Sequence, residues 1–366
     1  MVRVLVFMPR NMRFGPSNAS SVDLCVRDLI AASRHRASTT VVCCENETLF
    51  DDLDVKTYSS KIDRHKRRKL AFAVDEARQR SADLVIVQQH LPTAAALARR
   101  VDVPVVFHKH NITSSISKGS ALNALRRAWR LRQYRSLAGI IFVSEACQAA
   151  FHRDWPEVGT PAATVYNGLD FAAWQPAGKR TKEIICVGRA VPEKGIKEAA
   201  DAMTAALSAA EDWRGRLMLS EPNRFPAYLA EVRAALAPIA SRVTIELSQP
   251  MSIVRQRYEN AAIAVIPSKW EEPFGRTALE AHAGGCAVVS SGTGGLREIS
   301  AEHALFLPRD FAAADLAKNL KMLMADDGLR AALAHSGREH CREKFSVASV
   351  SSAADGFYDR IVRKKR

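Results

Sequence analysis

Two carboxylates, Glu272 and Glu280, stand eight positions apart, with the start of a helical pattern at Thr277 between them. The first turn of a helix offers backbone N–H groups with no partner inside the helix, together with the positive end of its dipole. That is a ready site for phosphate. An ionised carboxylate only accepts hydrogen bonds. Two of them flanking an anion site therefore suit a ligand with hydroxyls on both sides of a diphosphate. Glutamates at this spacing on an isolated helix would normally be solvated, so the reading depends on their surroundings.

Those surroundings are a strand, a loop, a helix and a second strand. Ile263 to Ile266 is a short apolar run ending at Pro267, the pattern of a buried strand. Thr277 to His282 is helix-like, and Gly284 and Gly285 stop it where a C-cap belongs. Cys286 to Ser290 is the second strand. In such sheets, ligands bind at the loops leaving the carboxyl ends of the strands. Here those loops hold Glu272, Gly275, Gly294, Gly295 and Glu298, and Glu280 falls in the first turn of the helix.

The run PSKWEEPFGRTALEAHAGGCAVVSSGTGGLRE, from Pro267 to Glu298, resembles the signature of retaining family 4 glycosyltransferases of GT-B fold. The resemblance implies that Glu280 accepts hydrogen bonds from the ribose of a nucleotide-sugar donor and that Glu272 sits beside the transferred sugar. It places Pro273, Phe274, Gly275, Arg276 and Thr277 in the same donor loop. Upstream, Glu183 to Val187 reads as a strand followed by GRAVPEKG, whose Gly188, Arg189, Lys194 and Gly195 resemble the family's diphosphate-binding loop. A leaving nucleoside diphosphate gains negative charge as the glycosidic bond breaks, and preplaced cations stabilise it. Arg189 offers a fork of donors and Lys194 a mobile point charge, a pair that can stand where other transferases use a metal. The turns Ser220–Asn223 and Ser248–Met251 depart from the glycines common in the family, which leaves the nucleotide base, uracil or guanine, open.

In the amino-terminal half, Val2 to Met8 reads as the first strand, with the loop PRNMRFGPSNASS before a helix from about Val22. Many family members carry a Gly-Gly pair in this loop; here there is one Gly15, followed by Pro16, Ser17 and Asn18. Strands are expected at Thr39 to Cys43, Leu84 to Gln88, Val103 to His108 and Gly139 to Ser144, with a helix from Pro92 to Arg100. His110-Asn111 lies just past a strand end, where the family has His-Asp or His-Asn near the reacting sugar, and His108 is the neighbouring alternative. Ser144 resembles the family's serine at its strand end, and Val165 to Asp170 the close of the first domain. Asp52-Leu53-Asp54 has the form of a metal-diphosphate chelate used in the other large glycosyltransferase fold. Without a buried strand before it, it reads as surface.

At 366 residues, 47% hydrophobic and 25% charged, the chain suits two soluble α/β domains with full cores. No apolar run reaches membrane-span length, and the first strand begins at once without a signal-peptide core. Seven cysteines, odd in number and without a Cys-x-x-Cys, several of them inside apolar runs, read as reduced core thiols in a cytoplasmic protein. The net charge of +14 gathers in residues 61–69, 126–135 and 363–366. Such clusters are either solvated helix faces or attachment sites for an anionic surface. No nucleic-acid motif accompanies them, so nucleic acid is not an expected partner. Leu122, Leu125 and Trp129 fall at helical spacing beside Arg126, Arg127, Arg130 and Arg132, the pattern of a helix lying on a membrane.

The expected architecture is α/β of GT-B type, two Rossmann-like domains facing across a cleft. The acceptor domain would span 1–170, a linker 171–178, the nucleotide-sugar domain 179–345, and a helix in 346–366 would cross back to the first domain. The expected activity is a metal-independent, retaining transfer of a sugar from a UDP- or GDP-linked donor to an acceptor hydroxyl, with no cofactor. His110, Arg189, Lys194 and Glu272 are the candidate catalytic residues. Gly15, Gly188, Pro273, Phe274, Gly275, Arg276, Thr277 and Glu280, with Arg189, Lys194 and Glu272, are the candidate donor contacts. A bacterial cell-surface glycan or lipid-linked acceptor, as in lipopolysaccharide biosynthesis, fits the basic first half, as does peripheral attachment to the inner face of the cell membrane. The alternatives are a nucleotide-sugar epimerase or hydrolase of the same fold, or a non-catalytic module that binds an anionic glycan.

Overall fold

The computed structural model describes residues 1–9, 14–16, 20–112 and 120–365. Ser17 and Asn18 of the first exit loop lie outside the described residues. The chain forms two compact units, one of Met1–Gly168 with Val347–Arg366 and the other of Leu169–Ser346.

The first unit runs β1 (Val4–Phe7), α1 (Ser21–Ala31), β2 (Thr39–Cys44), β3 (Asp54–Tyr58), α2 (Ser60–Asp63), α3 (Lys66–Gln79) and β4 (Leu84–Gln88). It continues with α4 (Leu91–Ala98), β5 (Val105–Lys109), α5 (Ala121–Arg135), β6 (Gly139–Phe142), α6 (Glu145–Asp154) and β7 (Ala162–Thr164). The sheet is parallel throughout, in the order β3-β2-β1-β4-β5-β6-β7. Helices on both faces bury β1, β2, β4, β5 and β6 along their whole length, so these strands are read from continuous apolar runs rather than alternation. β3 and β7 had no such run and were not expected from the sequence. β3 is only part-buried at the sheet edge, and β7 is three half-buried residues. α1 starts where Ser20 and Asp23 form a capping box, Ser20 Oγ accepting from the Asp23 N–H at 3.3 Å and Asp23 Oδ2 from the Ser20 N–H at 2.7 Å.

The second unit runs β8 (Thr181–Arg189), α7 (Ile196–Leu207), β9 (Arg214–Ser220), α8 (Pro226–Leu236), β10 (Val243–Leu247), α9 (Met251–Asn260) and β11 (Ala261–Ile266). It closes with α10 (Arg276–Ala283), β12 (Ala287–Ser290), α11 (Leu296–Ser300), β13 (Ala304–Phe306), α12 (Ala313–Ala325) and α13 (Asp327–Phe345). Its parallel sheet has the order β10-β9-β8-β11-β12-β13, the doubly wound arrangement in which strand order reverses between the first and fourth strands. That reversal, between β8 and β11, is where a Rossmann-like sheet opens a crevice for a ligand. Residues 171–178 belong to this unit, and Phe171 and Trp174 are buried in it.

The last helix, α14 (Val347–Lys365), returns to the first unit. Val350, Ala354, Phe357, Tyr358, Ile361 and Val362 join the core around Val4, Val6, Leu29 and Ile86. Asp355 accepts from Ser33 Oγ at 2.6 Å and from the Arg34 N–H at 2.9 Å, and Ser351 Oγ donates to the Leu29 carbonyl at 2.8 Å. Truncating Phe357 would cost about 3–5 kcal/mol by the usual core penalty. All seven cysteines are buried and outside any disulfide, and no helix among the described residues is long and apolar enough to cross a membrane.

Candidate active site

Three loops of the second unit converge at the reversal point. β8 ends in Arg189, and a single 3-10 turn, Pro192–Lys194, carries Lys194 back toward the loop that leaves β11. There Lys194 Nζ donates to Glu272 Oε1, an ion pair between residues 78 apart in sequence. Both members are largely buried, with side chains 20% and 10% exposed. Gly195 makes this possible, because its φ is +65° and a Cβ there would sit 2.0 Å from the Pro267 carbonyl oxygen. Only glycine lets the two loops meet so closely.

The loop then turns into α10 through Gly275, at φ +105°, with no side chain capping the helix. The Ala278 N–H is taken by the Gly275 carbonyl at 2.9 Å, and the Thr277 N–H, with no partner among the described residues, is left for a ligand or solvent. Arg276 Nε donates to Glu280 Oε1 at 2.9 Å, which holds the buried Glu280 carboxylate one turn into the helix. Behind this loop, Gly294 and Gly295 pack against the backbone of residues 272–274, and the Gly295 N–H donates to the Glu272 carbonyl at 2.8 Å. Arg189 is a third exposed at this rim and is steered by two carboxylates, Glu193 at 3.2 Å and Glu221 at 3.9 Å. The arrangement gathers two cations, an open helix start and two carboxylates within one unit. It can hold an anion and hydroxyl groups together.

Residues 174–340 match the family model of glycosyl transferases group 1, and residues 25–173 match that of glycosyltransferase family 4. The two models adjoin at 173/174 and together cover the chain from residue 25 to residue 340. The chain is a glycosyltransferase of this family. It is 28% identical over 290 residues to the glycogen synthase of Mycobacterium tuberculosis, a match that takes in 75% of this chain and 67% of that one. It is 25% identical over 221 residues to the lipopolysaccharide core biosynthesis mannosyltransferase LpsB of Rhizobium meliloti, covering 56% of this chain and 62% of that protein. The transferase thus spans about two thirds of the length of these curated relatives. HepE of Anabaena, solved in complex with UDP and glucose, superposes with a TM-score of 0.76 at 18% identity, over 98% of this chain and 100% of that one. The shared fold is GT-B.

The transferase places its remaining candidates as follows. Phe274 is buried with its ring 5.8 Å from that of Phe345, so its side chain builds the loop from beneath and leaves only backbone at the surface. Pro273 on the same loop and Thr277 in the first turn of α10 are half-buried. At Gly188 an added Cβ would meet nothing closer than 3.5 Å among the described residues, so none of them demands glycine there. Gly15 belongs to the first unit and is different: its missing Cβ would fall 1.9 Å from the Thr48 carbonyl oxygen. That crowding is an internal packing requirement. Ser144 is the buried N-cap of α6, its Oγ accepting from the Cys147 N–H at 3.0 Å. Asp52 and Asp54 are tied up by arginines, Arg27 and Arg36 on the first and Arg80 on the second, with Asp54 opening β3. Among the described residues no group of three or more His, Cys, Asp or Glu is placed to hold a metal ion.

His110 ends a small buried cluster in the first unit. Its Nε2 is 2.7 Å from Gln88 Oε1, and its backbone N–H donates to Gln89 Oε1 at 3.0 Å. With Nε2 donating to Gln88, the neutral ring turns Nδ1 into its acceptor. His108 stacks on it at 4.2 Å, and neither of its ring nitrogens has a partner among the described residues. Burial pulls the His108 pKa down to about 3, and burial together with the charges of His108 and Lys109 holds His110 well below the usual histidine range. Both rings are neutral at physiological pH. Gln88 and Gln89 were missed by sequence reasoning. The signal was there, since a polar pair closing a fully buried strand has a reason to be polar, and Gln89 holds a left-handed φ of +55°.

Proposed function

We propose that the transferase moves a glycosyl group from a nucleotide-sugar to an acceptor hydroxyl with retention of anomeric configuration and without a metal ion. The observation that carries this is the convergence of Arg189, Lys194 and the uncapped start of α10 around Glu272 and Glu280. The donor diphosphate seats on the cations and the helix N–H groups, its ribose hydroxyls meet Glu280, and the transferred sugar meets Glu272. Lys194 exchanges part of its hold on Glu272 for the diphosphate. The bond from the anomeric carbon to the diphosphate oxygen breaks, and the charge that develops is met by Arg189, Lys194 and the helix dipole. The acceptor oxygen bonds to the same carbon on the same face, and its proton passes to a diphosphate oxygen. His110, neutral and fixed by Gln88 and Gln89, accepts a sugar hydroxyl at Nδ1 and orients the ring. Gly188, free of internal crowding, leaves room for the donor to approach β8. HepE, solved with UDP and glucose, supports the choice of donor class.

We place the acceptor on a cell-surface glycan or lipid, reached from the cytoplasmic face of the membrane. Leu122, Leu125 and Trp129 are 55%, 69% and 57% exposed on α5, with Arg126 and Arg132 exposed beside them. Lys61, Arg64, Lys66, Arg67 and Arg68 are exposed around α2 and α3. Apolar anchors framed by cations suit an anionic bilayer surface. The test is a screen of UDP- and GDP-sugars against oligosaccharide and lipid-linked acceptors in EDTA, with the product linkage read by NMR. An α-linked product from an α-linked donor, formed in EDTA, is expected; a β-linked product, or activity that returns only with Mg²⁺ or Mn²⁺, would refute the mechanism.

A further inference from the structure

The first unit holds two buried lysines among the described residues, Lys69 and Lys109. Buried charges are normally paired. Lys69 is, with Asp63 at 2.7 Å. Lys109 is 4% exposed, and its Nζ donates to the Asn111 carbonyl, but no carboxylate of the described residues lies within ion-pair distance of it. Asp154 acts on it only through longer-range attraction.

Lys109 faces an open cavity of about 300 Å³ between α4, the end of β5 and α5, with Gln89, His90, Asn111, Arg130 and Tyr134 among its walls. No lining residue is acidic. Strand alternation puts Phe107 and Lys109 on this side, while His108 and His110 stack on each other away from it. Arg130 adds a second cation from α5, half-buried and in no ion pair among the described residues. Its neighbour Arg127 shows the ordinary alternative, paired with Glu157 at 2.7 Å. Two cations, amide and imidazole groups, and no carboxylate make a cavity lacking one component, an anion with several acceptor oxygens.

We infer that this cavity binds a phosphate group of the acceptor, so that the transferase acts on a phosphorylated sugar or a phospholipid headgroup. Phosphate supplies the oxygens that a lysine point charge and an arginine fork take up. The two sources share this chemistry. The word acceptor rests on the transferase reading; the binding itself does not. Burial lowers the Lys109 pKa to about 8, so the amine is mostly protonated at pH 7 and phosphate binding weakens as pH rises beyond 8.

The test titrates the full chain, without donor, with inorganic phosphate and glycerol 1-phosphate by calorimetry, and with phosphatidate vesicles by co-sedimentation. Lys109→Met keeps the buried stem, and Arg130→Gln changes a half-exposed helix position, so at least one variant folds normally. Each is expected to weaken phosphate binding roughly ten- to a hundredfold, the scale of a lost charge-assisted hydrogen bond. Arg130→Lys is expected to restore most of it. Glycerol 1-phosphate binding that depends on Lys109, with vesicle binding that does not, identifies a soluble phosphorylated acceptor. Vesicle binding that depends on Lys109 and is displaced by phosphate identifies a lipid headgroup. Phosphate that fails to bind, or binds equally to both variants because it sits only at Arg189 and Lys194, overturns the inference and leaves the transferase reading standing. Lys109-dependent phosphate binding in a protein that transfers no sugar from any nucleotide donor overturns the transferase reading alone.

Discussion

Lys194→Ala separates two things that one lysine does. In the ligand-free protein, Lys194 neutralises Glu272, a carboxylate only 10% exposed. Removing it leaves that charge buried without its partner, a loss of roughly 2–3 kcal/mol, below the full penalty for a dry ion pair because the lysine is 20% exposed. For a unit of this size the loss lowers the melting temperature of the second unit by about 4–12 °C. Lys194→Ala/Glu272→Gln removes both charges and should recover most of that shift. Affinity for the diphosphate should behave differently, because the cation that holds it is absent from both variants. Calorimetry with UDP and GDP should therefore show the single and double variants equally weakened. Turnover should fall by about 10²–10³-fold in the single variant, as when one preorganised donor to a developing anion is deleted. Nucleoside diphosphate affinity in Lys194→Ala equal to that of the parent would remove Lys194 from the donor site. A double variant as unstable as the single would show that the pair is not coupled.

Gly188→Ala should fold with unchanged or slightly higher stability, since the added methyl meets only ordinary contacts, yet lose nucleotide-sugar binding; a variant that binds donor normally would show that no ligand approaches there. Glu280→Gln should mainly weaken nucleoside diphosphate binding and Glu272→Gln mainly cut turnover, and calorimetry beside kinetics would expose an exchange of the two roles. His108 has a folded pKa of about 3 against about 6.5 unfolded, so the unfolded chain takes up the proton first as pH falls. The stability it contributes is complete above pH 6.5 and is lost progressively from there toward pH 3, by up to about 1.4 kcal/mol per pH unit. His108→Phe keeps the stacked ring without the orphaned nitrogens and should flatten that slope in melts from pH 7 to pH 4; an identical slope would refute it. Leu125→Glu/Trp129→Ser on α5 should abolish salt-sensitive co-sedimentation with anionic vesicles, and binding indifferent to these changes would place any membrane contact elsewhere.

The sequence by itself marked most of the buried strands and singled out the candidate residues of the second unit that the structure brings together. Continuous apolar runs marked β1, β4, β8 and β11, because a parallel sheet covered on both faces has no polar alternation to disguise it. Gly284 and Gly285 ended α10 through backbone rules that act within a few residues. The motifs around Arg189 and Glu272 were legible because each lies within one loop. What lay beyond a loop's reach was decided by the tertiary structure. The short edge strands β3 and β7 have no run of buried residues to betray them and form only because a neighbouring strand offers its hydrogen bonds. Phe274 sits in a surface motif but buries its ring on Phe345, from a helix some seventy residues on. Gln88 and Gln89 hold His110 from the adjacent strand, and α14 closes a core begun by β1 at the other end of the chain. The pairing of Lys194 with Glu272 is the sharpest case. Each was a candidate from its own loop, but only the sheet order, with β11 laid beside β8, puts the cation on the carboxylate.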